Sequence, residues 1–365
     1  MTSTIALDRR GADARPAAAK PVSDRIADDK TMLRTAADLT RELNTPKPAI
    51  YWGDLLVSAA IGYGALFLAM TPATGNWAFL AFAVAVFALY RAGSFIHELT
   101  HIKHSAVPGF RAAWNLIAGI PLMAPSFMYE GVHNLHHART RYGTVDDPEY
   151  LPLALMKPWS VPLFVVIALL APLALIARFA IIAPLSLVWP SFRKRVIAQY
   201  SALSINPAFR RRPPEGEART LWLWTETLCS IWSISLVAMV ITGVIPLRAF
   251  LIFIAAVSVG AVINQVRTLV AHLWENEGEA MTVTAQYLDT VNVPPPALLP
   301  MLWAPVGLRY HALHHLLPGL PYHALGEAHR RITGALEVGS PYHKASYPGL
   351  PGLVGRLVRS TMVGR

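Results

Sequence analysis

Apolar runs long enough to cross a bilayer alternate along this chain with polar stretches rich in histidine and arginine. The runs 51–71, 76–95, 220–243 and 247–270 are each near the roughly 20 residues that a spanning helix needs. Tyr51, Trp52 and Trp77 stand near run ends, where aromatic rings anchor at the membrane–water interface. The links 71–76 and 243–247 are short and uncharged, so the runs pair into two tight helical hairpins. A further apolar stretch, 158–190, is broken by Pro162, Pro172 and Pro184. It is expected to bend as a re-entrant or interfacial hairpin. The stretch 112–129, more polar and also punctuated by proline, invites the same reading.

Charge sets the orientation. The connection 191–219 carries Arg193, Lys194, Arg195, Arg210, Arg211, Arg212 and Arg219, and basic loops stay on the cytoplasmic side. With the N-terminus on that side too, the first hairpin goes out and returns just before His97. The second leaves after Arg219 and returns to deliver His272. Every histidine cluster and both termini then fall on the cytoplasmic face. The expected fold is all-α and polytopic, with about four spans in two hairpins and a cytoplasmic histidine-rich cap. The expected divisions are an arm over 1–48, a membrane domain over 49–335 and a basic tail over 336–365.

Composition agrees with a membrane protein. Apolar residues make up 54% of the 365 and charged residues only 15%, against about 25% charged in soluble domains. The formal net charge of +10 could suit nucleic acid, but the basic residues flank apolar runs, so no nucleic-acid partner is expected. Cys229 is the single cysteine; it excludes intrachain disulfides and a cysteine-ligated cluster within the chain. Residues 1–48 hold no apolar core of signal-peptide length. Their first part should be disordered. Met32, Leu33, Ala36, Leu39 and Leu43 suit a short amphipathic helix at the membrane surface.

The chemistry lies in three clusters: His97-Glu98-Leu99-Thr100-His101, His133-Asn134-Leu135-His136-His137 and His311-Ala312-Leu313-His314-His315. Residues three and four apart share a helix face, so each cluster aims its imidazoles at one region. These eight rings exceed the four ligands that satisfy one zinc and suit two redox metals in a nitrogen-rich site. His272 lies at the same depth and is expected as a ninth ligand. Neutral imidazoles bring no negative charge, so carboxylates should orient the rings from behind. Glu98, Glu130, Asp146, Asp147, Glu149, Glu275, Glu277 and Asp289 are candidates, with Asp147 foremost. His104 shares the spacing of His97 and His101 and is expected at the rim or behind a ligand. His323, His329 and His343 fit no cluster.

The boxes His-x3-His, His-x2-His-His and His-x2-His-His resemble, in type, order and topology, those of the membrane fatty acid desaturase and hydroxylase superfamily. The resemblance covers roughly 50–335. It is strengthened by the run Arg267 to His272, by His136-His137 followed by Asp147-Pro148, and by Trp303 to Ala328, which is similar to the third-box region of bacterial members. It implies an oxidoreductase with two non-haem irons and O2 as co-substrate, acting on an alkyl or acyl chain of a membrane lipid. It also implies an external electron donor, either a ferredoxin or a cytochrome b5-type protein with its reductase. A bacterial inner-membrane location follows. Desaturation is the expected outcome, with hydroxylation on the same site as the alternative. The basic loop 193–212 and the tail residues Arg356, Arg359 and Arg365 could dock an acidic donor, although topology and lipid headgroups explain the same charges.

Two rivals use less of the sequence. His97-Glu98-Leu99-Thr100-His101 also spells HExxH, in which two histidines bind zinc and the glutamate activates water; that reading leaves both HxxHH clusters and His272 unused. A non-catalytic metal-handling protein would need polar residues along a path through the membrane, and the spans offer almost none.

Overall fold

The computed structural model describes residues 26–363. The elements follow in order as α1 (Lys30–Thr40), α2 (Pro48–Met70), α3 (Ala78–Glu98), α4 (Phe110–Trp114), α5 (His133–His136), α6 (Ser160–Ala177), α7 (Ala183–Leu187) and α8 (Pro190–Gln199). Then come α9 (Gly216–Ile241), α10 (Leu247–Ala271), α11 (Val283–Leu288), α12 (Pro300–Trp303), α13 (His311–Leu316), α14 (Leu325–Ala335) and α15 (Leu350–Thr361). Isolated bridges are the only β contacts among the described residues. The fold is all-helical.

Among the described residues five helices are long and apolar enough to cross a membrane: Pro48–Met70, Pro72–Glu98, Ser160–Leu187, Gly216–Ile241 and Leu247–Ala271. The first two pack together as the expected hairpin, whereas the last two, though joined by a short link, do not pack tightly on each other: α10 lies against α6 and α3, and α9 against the turn at 178–182. Exposed Leu56, Phe67, Phe79, Ile231 and Leu251 cover their outer faces, as lipid-facing helices require, because in hydrocarbon it is the backbone that must be satisfied internally. Packing inside the first hairpin depends on Gly62. A Cβ there would lie 3.1 Å from the backbone nitrogen of Leu89 and closer still to its side chain, so only glycine lets α2 and α3 approach this far. Near the histidine end, Arg91 pairs with Asp54 (2.5 Å) and Tyr322 donates to the same carboxylate (2.9 Å).

Residues 160–187 do not double back within themselves, as a hairpin would. They run as one continuous helix, α6 into α7, through a π-turn at Arg178–Ile182 and with Pro172 inside. A π-turn absorbs an extra residue without ending a helix, and Pro184 follows it directly at the start of α7. Val161 packs in one cluster with Leu269 and Val270 at the end of α10. Arg178 pairs with Glu226 (2.6 Å), in the first half of α9, and Arg193 of α8 reaches the other oxygen of Glu226 (2.5 Å). The stretch 112–129, by contrast, makes no span: α4 runs into a π-turn, then a bend and one 3₁₀ turn.

The terminal segments pack onto the body. The amphipathic helix expected on a membrane surface is α1, capped by Asp29 through the Met32 amide. Its fully buried Met32 and Ala36 belong to a core shared with Leu325, Ala328 and Ile332 of α14. That core also takes Tyr342 and Ala345, while Leu353 and Leu357 of α15 pack with Leu269 and Trp274. The described part of the expected basic tail, 336–363, thus packs onto the body. The expected disorder of the first residues falls on 1–25, outside the described residues.

Candidate metal centre

The last turn of α3, the short helices α5 and α13, and the residue following α10 converge on one buried region. Nine histidine side chains meet there in two groups. His97, His101, His133, His137 and His314 form one, and His136, His272, His311 and His315 the other; within each group the nitrogens lie within 4.8 Å of one another. The partition follows helix geometry. In each HxxHH box the i and i+4 rings go to one group and the i+3 ring crosses to the other.

The spacing of the nitrogens suits a shared ion. Nε2 atoms approach at 3.0 Å for His133 and His137, 3.1 Å for His101 and His314, and 3.0 Å for His272 and His311. Ligands about 2.1 Å from a metal and at right angles to each other stand about 3 Å apart. Both ring nitrogens of His97 and Nε2 of His136 are buried with no protein partner, and buried polar atoms are seldom left so. Burial and neighbouring rings hold His101, His137, His272, His311, His314 and His315 well below the usual imidazole range. Such rings are neutral and keep a lone pair to offer. The residues present fit two metal ions.

Carboxylates stand behind three of the rings. Both oxygens of Asp147 lie 2.9 Å from His136 Nδ1, and the same carboxylate accepts from the amides of Gly143 (2.9 Å) and Glu149 (2.8 Å). That carboxylate draws the His136 proton affinity upward against burial. Glu149 meets His133 Nδ1 at 2.8 Å and also accepts from Tyr129 (3.0 Å). Behind His272, Tyr142 bridges Nδ1 (3.0 Å) to Asp289 (2.8 Å). Burial pushes the Asp289 carboxyl up to about 7 despite that bond. These contacts fix tautomer and ring orientation.

Two other expected partners lie elsewhere. Glu98 is buried but turns away from the rings, accepting from Tyr51 (2.6 Å) and from the Tyr322 amide (3.2 Å), so it is not placed to activate water between His97 and His101. His104 sits 3.4 Å from Glu130, half-exposed and outside both groups. His323 accepts from the Lys47 amide and His329 faces Tyr342. Tyr129 and Tyr142 were missed. Tyr129 stands four residues before His133, the spacing of a helical neighbour, while nothing local marks Tyr142. Much of the basic loop is also structural: Arg211 donates to the carbonyls of Phe127, Ser201 and Glu130 and lies 4.6 Å over the Trp222 ring.

A cavity of about 330 Å³ opens beside the first group, between α3, α6 and α10. It touches His97 and Tyr129 at one end and extends to Val86 and Ala256, with a mainly apolar lining. Eleven residues of helix separate His97 from Val86, about 16 Å along the axis.

A fatty acid desaturase family model matches residues 74–346. A ceramide hydroxylase of Caulobacter vibrioides (strain NA1000 / CB15N) is 50% identical over 335 residues, 92% of this chain and 95% of that protein. No solved structure matches. Histidine boxes, membrane-length helices and likeness over nearly the whole length agree: the chain is an integral membrane oxidoreductase belonging to the fatty acid desaturase family.

Proposed function

We propose that this protein is an O2-dependent di-iron hydroxylase of ceramide or a closely related N-acylated long-chain lipid. The observation that carries this reading is the near full-length, 50% identity to the Caulobacter ceramide hydroxylase. In this reading His97, His101, His133, His137 and His314 hold one iron, and His136, His272, His311 and His315 the other. Bound there, the iron pair supplies the oxygen chemistry that attacks an unactivated C–H bond. The protein's own residues do the rest. Asp147 holds the Nδ1 proton of His136 so that Nε2 faces inward, and Glu149 does the same for His133. Tyr142 passes the orienting influence of Asp289 to His272. The apolar cavity takes the alkyl chain, aligns one carbon with the histidine end and keeps water away.

The membrane unit, residues 49–335, together with the packed terminal segments, would sit in a bacterial inner membrane. Its histidines then face the cytoplasm, where a ferredoxin or a cytochrome b5-type donor delivers electrons. A second reading, desaturation, is favoured by the family match and would use the same site. The two differ in whether the substrate carbon gains oxygen or its neighbour loses a second hydrogen.

The test is mass spectrometry of lipids from cells expressing wild type or His136→Ala. Gain of one oxygen on ceramide in the wild type alone is the expected result. Loss of two hydrogens from the same lipid would replace hydroxylation by desaturation. An unchanged ceramide pool alongside a changed glycerolipid would overturn the substrate.

A further inference from the structure

The cavity is apolar along most of its length, but its histidine end carries a cluster of donors that the metal site does not use. Asn264, Gln265, Arg267 and Thr268 all line it from the last turns of α10. Arg267 is 8% exposed. One arm of its guanidinium donates to Asn264 Oδ1 at 2.8 Å, while its Nε is buried without a partner. The Gln265 side-chain nitrogen is buried and unpartnered as well. No ion pair to Arg267 is found among the described residues, and its charge bears on the rings of His133, His272, His311 and His314. A permanently charged side chain buried beside the candidate metal site is costly unless an acceptor reaches it. Two vacant donors in one cavity wall call for an oxygen acceptor supplied from outside the chain.

We infer that Arg267 and Gln265 bind the amide carbonyl and adjoining hydroxyl oxygens of the lipid, and so fix which carbon is oxidised. This rests on the proposed substrate class. The placement has a regiochemical meaning. Donors and histidines share one end of the cavity, and the apolar barrel leads away from both toward Val86 and Ala256. A lipid whose polar oxygens meet Arg267 presents carbons within a few bonds of its amide to the histidines, and its tail fills the rest. Mid-chain carbons lie too deep. Arg267 is therefore a positioning residue and touches no reacting atom.

The test uses purified, iron-loaded enzyme in detergent with no electron donor, so that binding is read without turnover. The ligands are a fluorescent N-acylated sphingoid base, its 1-phosphate, and a plain long-chain hydrocarbon as competitor. Arg267→Met should weaken binding of the neutral amide lipid roughly tenfold to a hundredfold, the cost of a charged hydrogen bond left unmade. Gln265→Leu should weaken it less, and Arg267→Lys should recover part of the loss. Iron content and hydrocarbon binding should match wild type in all three. With electron donor added, wild type should place oxygen next to the amide region, and Arg267→Met should scatter it along the chain. Equal binding of the amide lipid by wild type and Arg267→Met would overturn the inference while sparing the substrate reading. So would a parallel loss of hydrocarbon binding or iron, which marks a structural role. A much tighter, Arg267-dependent hold on the phosphate would replace the neutral acceptor by an anionic one. Failure of the wild type to bind the amide lipid at all would overturn both readings together.

Discussion

Asp147 carries several jobs on one buried carboxylate: it meets His136 and accepts two backbone amides. Asp147→Asn keeps the shape but turns one acceptor into a donor, which opposes the His136 Nδ1 proton. Metal affinity should fall about 10- to 100-fold with helix content unchanged, as read by iron retained after dialysis against a chelator. Glu98→Gln should behave differently. Its partners are Tyr51 and the Tyr322 amide, so iron content should hold while stability drops by about 1–2 kcal/mol, measured by thermal unfolding. Loss of metal there would return Glu98 to the site. The contrast explains what was legible at this scale. Asp147 could be picked out because it follows the second box and precedes proline. Glu98 misled because residue i+1 on a helix points about 100° away from residue i. His104, of the two places open to it, takes the rim: α3 ends at Glu98, so spacing beyond it no longer reports a face.

Among the elements, the four runs and the first hairpin could be read from run lengths and uncharged links, since length and hydropathy are local properties, but the short link between α9 and α10 did not reveal that α10 packs instead on α6 and α3. The course of 160–187 could not be read either. Prolines there suggested a break, and the π-turn at Arg178–Ile182 that keeps the helix continuous leaves no mark in composition. What anchors it is the Arg178–Glu226–Arg193 trio, a contact between distant segments. The glycine contact between α2 and α3 offers a direct test of helix packing. Gly62→Leu forces a side chain against the Leu89 backbone and should cost about 1–3 kcal/mol. The expected signs are earlier unfolding in detergent and weaker iron retention, because α3 carries His97. Gly62→Ala should show a smaller effect in the same direction.

Over the whole molecule, burial of so many neutral imidazoles ties stability to pH. Their folded-state proton affinities are depressed, so the unfolded chain takes up protons first. The stabilising contribution is complete above the ordinary imidazole value of about 6.5 and is lost as pH falls toward the depressed folded values. His136, raised by Asp147, works in the opposite direction but stands alone. The unfolding temperature of the metal-free protein should be flat above neutral pH and fall between about pH 6.5 and 5; a flat profile throughout would show that the rings take up protons equally in the folded and unfolded states, and so are not depressed by burial. The convergence of the boxes was legible in the sequence, and spacing sets the i+3 ring of each HxxHH box apart from its neighbours, but which rings share a group was not, since it depends on how α5 and α13 face each other. That sorting has a temporal side. The second and third boxes each give rings to both groups, so a nascent chain that has not yet emitted residue 311 lacks His314 from one group and His311 and His315 from the other. Neither half can be finished ahead of its twin. In the di-iron reading, a product that ends between residues 272 and 311 keeps four rings of the first group but only His136 and His272 of the second, and so would not hold the metal pair.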